Sequence, residues 1–204
     1  MNIVLATRNR KKTVEIRRIL AATGVVLQDL TDFPECPDVV EDGVTFQENA
    51  AKKALQVARW TGLPALADDS GLVVDCLGGA PGVWSARYAL SDTIPNPTDA
   101  DNLDKLLRAV RDCPPNERTA RFECVLSLAR PDGQLNHFHG SVAGYIIDSP
   151  RGNNGFGYDP AFVPEGYDQT FAEMSGAQKD AISHRGRALV AFASALRGMM
   201  GATE

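Results

Sequence analysis

Residues 2–24 read NIVLATRNRKKTVEIRRILAATG, and the fold class turns on how this run divides. NIVLA is a short apolar β-type run. After it Ile16, Ile19, Leu20 and Thr23 recur at helical spacing until Gly24, a residue suited to stop a helix. The order is strand, loop, helix, and it is met again downstream. VVLQDL (25–30) is a second strand candidate, and TFQENAAKKALQVARWTG (45–62) opens with Thr45-x-x-Glu48, a capping-box pattern, before running amphipathically to Gly62. LPALADDS (63–70) and GLVVDCL (71–77) read as a further strand and its continuation past a turn. TDADNLDKLLRAV (98–110) puts Leu103, Leu106, Leu107 and Val110 on one helix face.

Later the pattern changes. TARFECVLSLA (119–129) alternates Ala120, Phe122, Cys124, Leu126 and Leu128 against more polar neighbours, and RPDG turns the chain into LNHFHGSVAGYII, a hairpin. A loop-rich stretch, DSPRGNNGFGYDPAF, precedes short helical signals at TFAEMSGAQKDA. The last helix, SHRGRALVAFASALRGMM, has Ser183 as its N-cap. Alternating strands and helices followed by a hairpin predict one α/β domain over residues 1–204 with a mixed sheet.

The 204 residues, 44% hydrophobic and 23% charged, have globular proportions. A net charge of −5 disfavours a broad nucleic-acid surface and leaves room for a local basic site that takes a small anion. Cys36, Cys76, Cys113 and Cys124 show no zinc-knuckle or redox-pair spacing and read as reduced thiols of a cytoplasmic protein. No apolar run approaches the roughly 20 residues that cross a bilayer. The N-terminal charges follow the apolar run instead of preceding it, which points away from export.

Asp68 and Asp69 are adjacent acids at the end of an apolar run, and like charges so close need a positive partner. One candidate is TRNRKK (7–12). A strand end, loop and helix start expose backbone N–H groups and a partial positive charge, to which Thr7, Asn9 and Lys12 add donors; a solvated basic helix start has the same pattern. A phosphate brings a metal with it, and Mg²⁺ needs only one or two carboxylates beside waters and phosphates. A carboxylate can also take a proton from an attacking water. The plain alternative for the pair is a polar turn in which one Asp caps the next segment. Glu48 has a capping task and Glu41 has none, so Glu41 is the better additional metal ligand. Lys53 lies on the Glu48 helix, facing either solvent or phosphate.

In RGNNGFGYDP (151–160), close-approach glycines accompany Phe156, Tyr158 and Asp159, the parts of a pocket for a flat ring, or of a tight loop over a core aromatic. Lys179, His184 and Arg185 put cations near the start of the last helix, against its macrodipole, which calls for an anionic or carbonyl-bearing partner. His137 and His139 alternate on one strand without a third ligand and read as surface residues.

Taken together, ATRNRKK, EDGVTFQENAAKKA, LADDSGLVVDCLGGAPGVWSARYA, GNNGFGYDPAFVP, TFAEMS and ISHRGRAL resemble, in order, the inosine triphosphate pyrophosphatase family from about Ile3 to Leu189. The resemblance implies an elongated mixed sheet flanked by helices in two lobes with a central nucleotide cleft, usually as a homodimer. It implies hydrolysis of non-standard purine triphosphates (dITP, ITP, XTP) to the monophosphate and pyrophosphate with Mg²⁺. A house-cleaning pyrophosphatase for modified pyrimidine or methylated nucleotides is the alternative. By similarity, Thr7, Arg8, Asn9, Arg10, Lys11 and Lys12 hold the triphosphate. Asp69 accepts the proton and joins Glu41 at the metal, and Ser70 adjoins the substrate. Lys53 and Asp68 match polar active-site positions. Phe156, Gly157, Tyr158, Asp159, Lys179, His184 and Arg185 match the base and ribose side. Arg8 departs from the family, which often has a small residue there.

Overall fold

The computed structural model describes residues 1–201, with side-chain surroundings through residue 198. Its elements are β1 (Asn2–Leu5), α1 (Arg10–Leu20), β2 (Val26–Asp29), α2 (Phe46–Thr61), β3 (Ala65–Val74), α3 (Asp99–Ala109), β4 (Thr119–Ala129), β5 (Leu135–Ile146), β6 (Phe162–Pro164), α4 (Gly176–Ile182) and α5 (His184–Gly201). The strands form one six-stranded sheet in the order β2-β1-β3-β4-β5-β6. β1 is parallel to both β2 and β3, while β5 and β6 are antiparallel, so the sheet is mixed, as the sequence pattern predicts.

The chain divides into two compact units, each assembled from separate segments. The first comprises residues 1–69, 124–140 and 184 onward. Its β1 lies between two parallel neighbours and is covered on both faces, which explains the unbroken apolar run IVLA. Ile3 and Leu5 pack with Ile16 and Leu20 of α1, Leu66 of β3 and Phe192 of α5. Val4 and Ala6, pointing the other way along the pleat, pack with Ala54, Val57 and Ala58 of α2. α1 is capped by Asn9, whose side chain accepts from the backbone N–H groups of Lys11 and Lys12. In α2, the Thr45 hydroxyl accepts from Glu48 N at 3.1 Å, and the Glu48 carboxylate reaches back to Val44 N at 2.8 Å. Gly140 of β5 lets the first turn of α5 come close: a Cβ there would lie 2.1 Å from the His184 carbonyl oxygen, so any side chain would push that turn away.

The second unit comprises residues 70–123 and 141–183. The turn expected at Ser70-Gly71 is absent, and β3 runs without interruption from Ala65 to Val74. Its far half is buried and keeps its backbone paired, with Leu72 N donating to Ser85 Oγ at 2.9 Å and Val74 N to the Ala80 carbonyl at 3.2 Å. With those partners supplied, the Ser70-Gly71 pair in mid-strand does not require a bend. The core here joins Leu72 and Val74 to Leu106, Val110, Phe122, Phe162 and Phe171, with the Phe122 and Phe162 rings 4.8 Å apart.

One cysteine expectation is corrected. Cys76 and Cys113 form a disulfide, and only Cys36 and Cys124 are free. Their spacing of 37 residues hid the pair, because a disulfide depends on where two Cβ atoms end up and not on how far apart they lie in sequence. Closing a loop of this length limits the unfolded chain by an amount worth about 2–4 kcal/mol. Urea unfolding with and without reductant should differ by about that amount, and an unchanged midpoint would mean the bond adds nothing in solution.

Candidate active site

The β1–α1 connection places Thr7 to Lys12 at a capped helix start, with Asn9 N–H donating to Thr7 Oγ1 at 3.1 Å. Arg10 and Lys11 are exposed. Lys12 turns inward and pairs with Asp68 Oδ1. Asp68 is fully buried, and its other oxygen accepts from Arg185 Nε at 3.0 Å and from the Cys124 thiol at 3.1 Å. Arg185 Nη1 in turn pairs with Glu15. Since Glu15 sits one helical turn after Lys12, the four charges close a ring that begins and ends on α1. The adjacent acids therefore find their first positive partners within the protein: Lys12 and Arg185 for Asp68, and Lys53 for Asp69.

Asp69 has a different environment from its neighbour. Its Oδ1 lies 3.4 Å from Lys53 Nζ, and that ammonium also donates to the Asp68 carbonyl at 2.8 Å and pairs with Glu41 Oε2 at 3.0 Å. Asp69 Oδ2 is buried with no hydrogen-bond partner among the described residues. Burial raises its proton affinity, Lys53 and Lys12 oppose this, and Glu41 and Asp68 add to it, so the carboxyl titrates above its ordinary value. Burial would also raise Asp68, but Arg185 and Lys12 outweigh it and hold that carboxyl well below the usual range. For Lys53, burial works against the charge, and Asp69 and Glu41 more than restore it. Two adjacent residues of one type are thus split into a locked anion and a poised one.

Glu41 and Asp69 are the carboxylates that face one cationic centre, and the unpartnered Asp69 oxygen gives a hard donor. Two such oxygens suit Mg²⁺, which takes few protein ligands beside phosphate and water. No cluster of three or more His, Cys, Asp or Glu side chains with metal-holding geometry occurs among the described residues.

In the second unit, the glycine-rich loop is built around Asp159. Its Oδ2 accepts from Phe156 N at 2.8 Å and from Lys179 Nζ at 2.6 Å. Gly155, at φ +71°, has to be glycine, since a Cβ would fall 2.0 Å from that oxygen. Lys179 lies 4.9 Å from the centroid of the half-buried Phe156 ring. Tyr158 is buried, with its hydroxyl donating to the Ser85 carbonyl at 2.7 Å, and works as a strut under the loop. Gly157 is half-buried beside it, leaving Phe156 as the aromatic face of this segment that is still partly open.

Lys12, Lys53, Asp68, Asp69 and Glu41 are gathered in the first unit, and Phe156, Asp159 and Lys179 in the second. Ser70 follows Asp69 on β3, half-buried. His184 and Arg185 are buried at the α5 start, and Arg185 meets its anionic partners within the chain. Arg8 donates to Asp38 and to the Cys36 carbonyl. His137 is half-buried and bonded to Ser127 Oγ at 2.8 Å, while His139 is exposed. Glu15 and Cys124 were missed. The Lys12-x-x-Glu15 spacing was a usable signal for the first, and nothing local marked the second.

No helix among the described residues is long and apolar enough to cross a membrane. The chain is similar over most of its length to proteins named dITP/XTP pyrophosphatase. The protein of Geobacter sulfurreducens is 52% identical over 92% of each chain, and that of Streptomyces avermitilis is 47% identical over 98% of each. Among solved structures, a HAM1 protein from Coxiella burnetii superimposes with a TM-score of 0.87 at 42% identity, covering 97% of this chain and 99% of its own. The Mycobacterium abscessus nucleoside-triphosphatase/dITP/XTP pyrophosphatase gives 0.75 at 45% identity over 94% and 98%. The Ham1 family model matches residues 3–195, and with these likenesses the chain belongs to the Ham1 family.

Proposed function

We propose that this protein is a Mg²⁺-dependent pyrophosphatase that hydrolyses non-standard purine nucleoside triphosphates (dITP, ITP, XTP) to the monophosphate and pyrophosphate, clearing deaminated purines from the nucleotide pool. The observation that carries the reading is the split between the two aspartates. Asp68 is saturated by Lys12 and Arg185, whereas Asp69 keeps a buried oxygen unpartnered and a raised proton affinity, the state of a base. In this reading Asp69 takes a proton from water as the water oxygen bonds to the α-phosphorus. The bond from that phosphorus to the bridging oxygen breaks, and pyrophosphate leaves with the electron pair.

The α1 start and Lys12 offer donors for phosphate oxygens, and Lys53 keeps the carboxylates from repelling one another. Glu41 and Asp69 would hold Mg²⁺, which when bound would neutralise charge on the phosphates. The Phe156 face with Lys179 suits a stacked base. The family resemblance further supports a homodimer working in the cytoplasm.

Purified protein incubated with Mg²⁺ and, separately, dITP, XTP, dGTP, dATP and dUTP decides the matter. Pyrophosphate and monophosphate in equal amounts from dITP and XTP, with the standard nucleotides spared, is the expected result. Orthophosphate release overturns the mechanism, and preference for dUTP overturns the base assignment.

A further inference from the structure

Glu41 stands in a long segment without regular structure between β2 and α2, where no ladder of backbone hydrogen bonds fixes a side chain. Its place depends on point attachments. Glu41 itself pairs with Lys53 Nζ at 3.0 Å, and further attachments lie downstream of it. Asn49 Oδ1 accepts from Gly43 N at 2.8 Å, Glu48 accepts from Val44 N at 2.8 Å, and Lys52 pairs with Asp42 at 2.5 Å. Upstream, Arg8 supplies two bonds from one guanidinium, Nε to Asp38 Oδ1 at 2.7 Å and Nη2 to the Cys36 carbonyl at 2.7 Å.

Arg8 lies between Thr7 and Asn9, inside the loop that caps α1 and leads to Lys12. Its fork therefore joins the candidate phosphate loop to the segment that carries Glu41, across 28 and 30 residues of sequence. A planar fork taking two acceptors on one segment fixes orientation as well as distance, which an ammonium cannot do. The ion pair by itself is exposed, with 45% of the Arg8 and 85% of the Asp38 side chain open, and counts for little. The bond to the partly buried Cys36 carbonyl makes it a clamp.

We propose that Arg8 is a positioning residue of this chain, holding residues 36–38 against the β1–α1 loop so that Glu41 is set in place for a divalent cation before the nucleotide arrives. The inference rests on the reading of Glu41 as a metal ligand. It assigns to Arg8 a task other than phosphate contact.

The test compares wild type with Arg8→Ala, Arg8→Lys, Asp38→Asn and the Arg8→Ala/Asp38→Asn double variant. Amide hydrogen exchange over residues 36–42 and Mn²⁺ binding to nucleotide-free protein are followed beside KM and kcat. Arg8→Ala should speed exchange in that segment and weaken Mn²⁺ binding, each by roughly 5- to 10-fold. Arg8→Lys should restore only part of this, Asp38→Asn should act in the same direction, and the double variant should be no worse than Arg8→Ala. Unchanged exchange in Arg8→Ala overturns the clamp. A rise in nucleotide KM alone, with Mn²⁺ binding and exchange intact, makes Arg8 a phosphate ligand instead. Absence of Mn²⁺ binding to wild type overturns the link to metal. Should wild type release no pyrophosphate from any purine triphosphate, the proposed function fails, and the exchange data still decide on the clamp.

Discussion

Replacing Asp69 by Asn should lower turnover by at least about 100-fold, the low end for loss of a general base, while leaving the unfolding transition near that of wild type. Asn keeps the volume and a carbonyl oxygen toward Lys53 but cannot take a proton. Removing a carboxylate that is buried and only partly paired costs the fold little, because desolvation already opposes its charge. The role also has a pH signature. With Asp69 shifted upward by burial, the acid limb of kcat/KM should lie above 3.8, and carboxyl NMR of the nucleotide-free protein should find Asp69 protonating above that value and Asp68 below it. Near-normal turnover in Asp69→Asn would remove Asp69 from the mechanism, and a reversed order of the two titrations would remove the environmental account of it.

Replacing Arg185 by Met should destabilise the protein by about 3–5 kcal/mol, the range for removing one partner from a buried ionic cluster. Arg185 is 1% exposed, and its guanidinium meets both Asp68 and Glu15. Met fills similar space but leaves Lys12 as the cation bonded to Asp68 and leaves the buried Glu15 without that partner. At about 2–4 °C per kcal/mol for a chain of this size, the melting temperature should fall by roughly 6–20 °C. Arg185→Lys should recover part of the loss, since one ammonium does not span both carboxylates as the fork does. The cluster also sets a pH limit. Asp68 is depressed in the folded state, so its stabilisation is present above its unfolded value of 3.8 and is lost as pH falls below it toward the folded value. Urea midpoints for Arg185→Met within about 1 kcal/mol of wild type, the scale of an exposed pair, would show that the ring contributes little.

The first of these changes is aimed at chemistry and the second at the frame that makes the chemistry possible. Asp68 and Asp69 are neighbours in sequence, yet they receive unlike surroundings because successive residues of a strand point to opposite faces. Asp68 looks toward α1 and α5 partners, and Asp69 toward Lys53 of α2 and Glu41. A one-residue slip of β3 would exchange their roles, so the register of the sheet matters to the chemistry as much as the residue types do.

What the sequence determined by itself is the local order. Helical spacing after NIVLA, the Thr45 cap and the RPDG turn rest on interactions within a few residues, and each is found where those signals lie. Motif order was enough to indicate the family and to nominate Lys12, Lys53, Asp68, Asp69 and Glu41. The tertiary structure alone decided the pairings. Arg185 meets Asp68 across 117 residues and Glu15 across 170, and Cys76 meets Cys113 across 37. No periodicity encodes such contacts, because they depend on where the sheet brings its strand ends and helix starts. The unbroken course of β3 through Ser70-Gly71 was settled the same way: local propensity favoured a turn, and Ser85 Oγ and the Ala80 carbonyl supplied the hydrogen bonds that kept the strand extended.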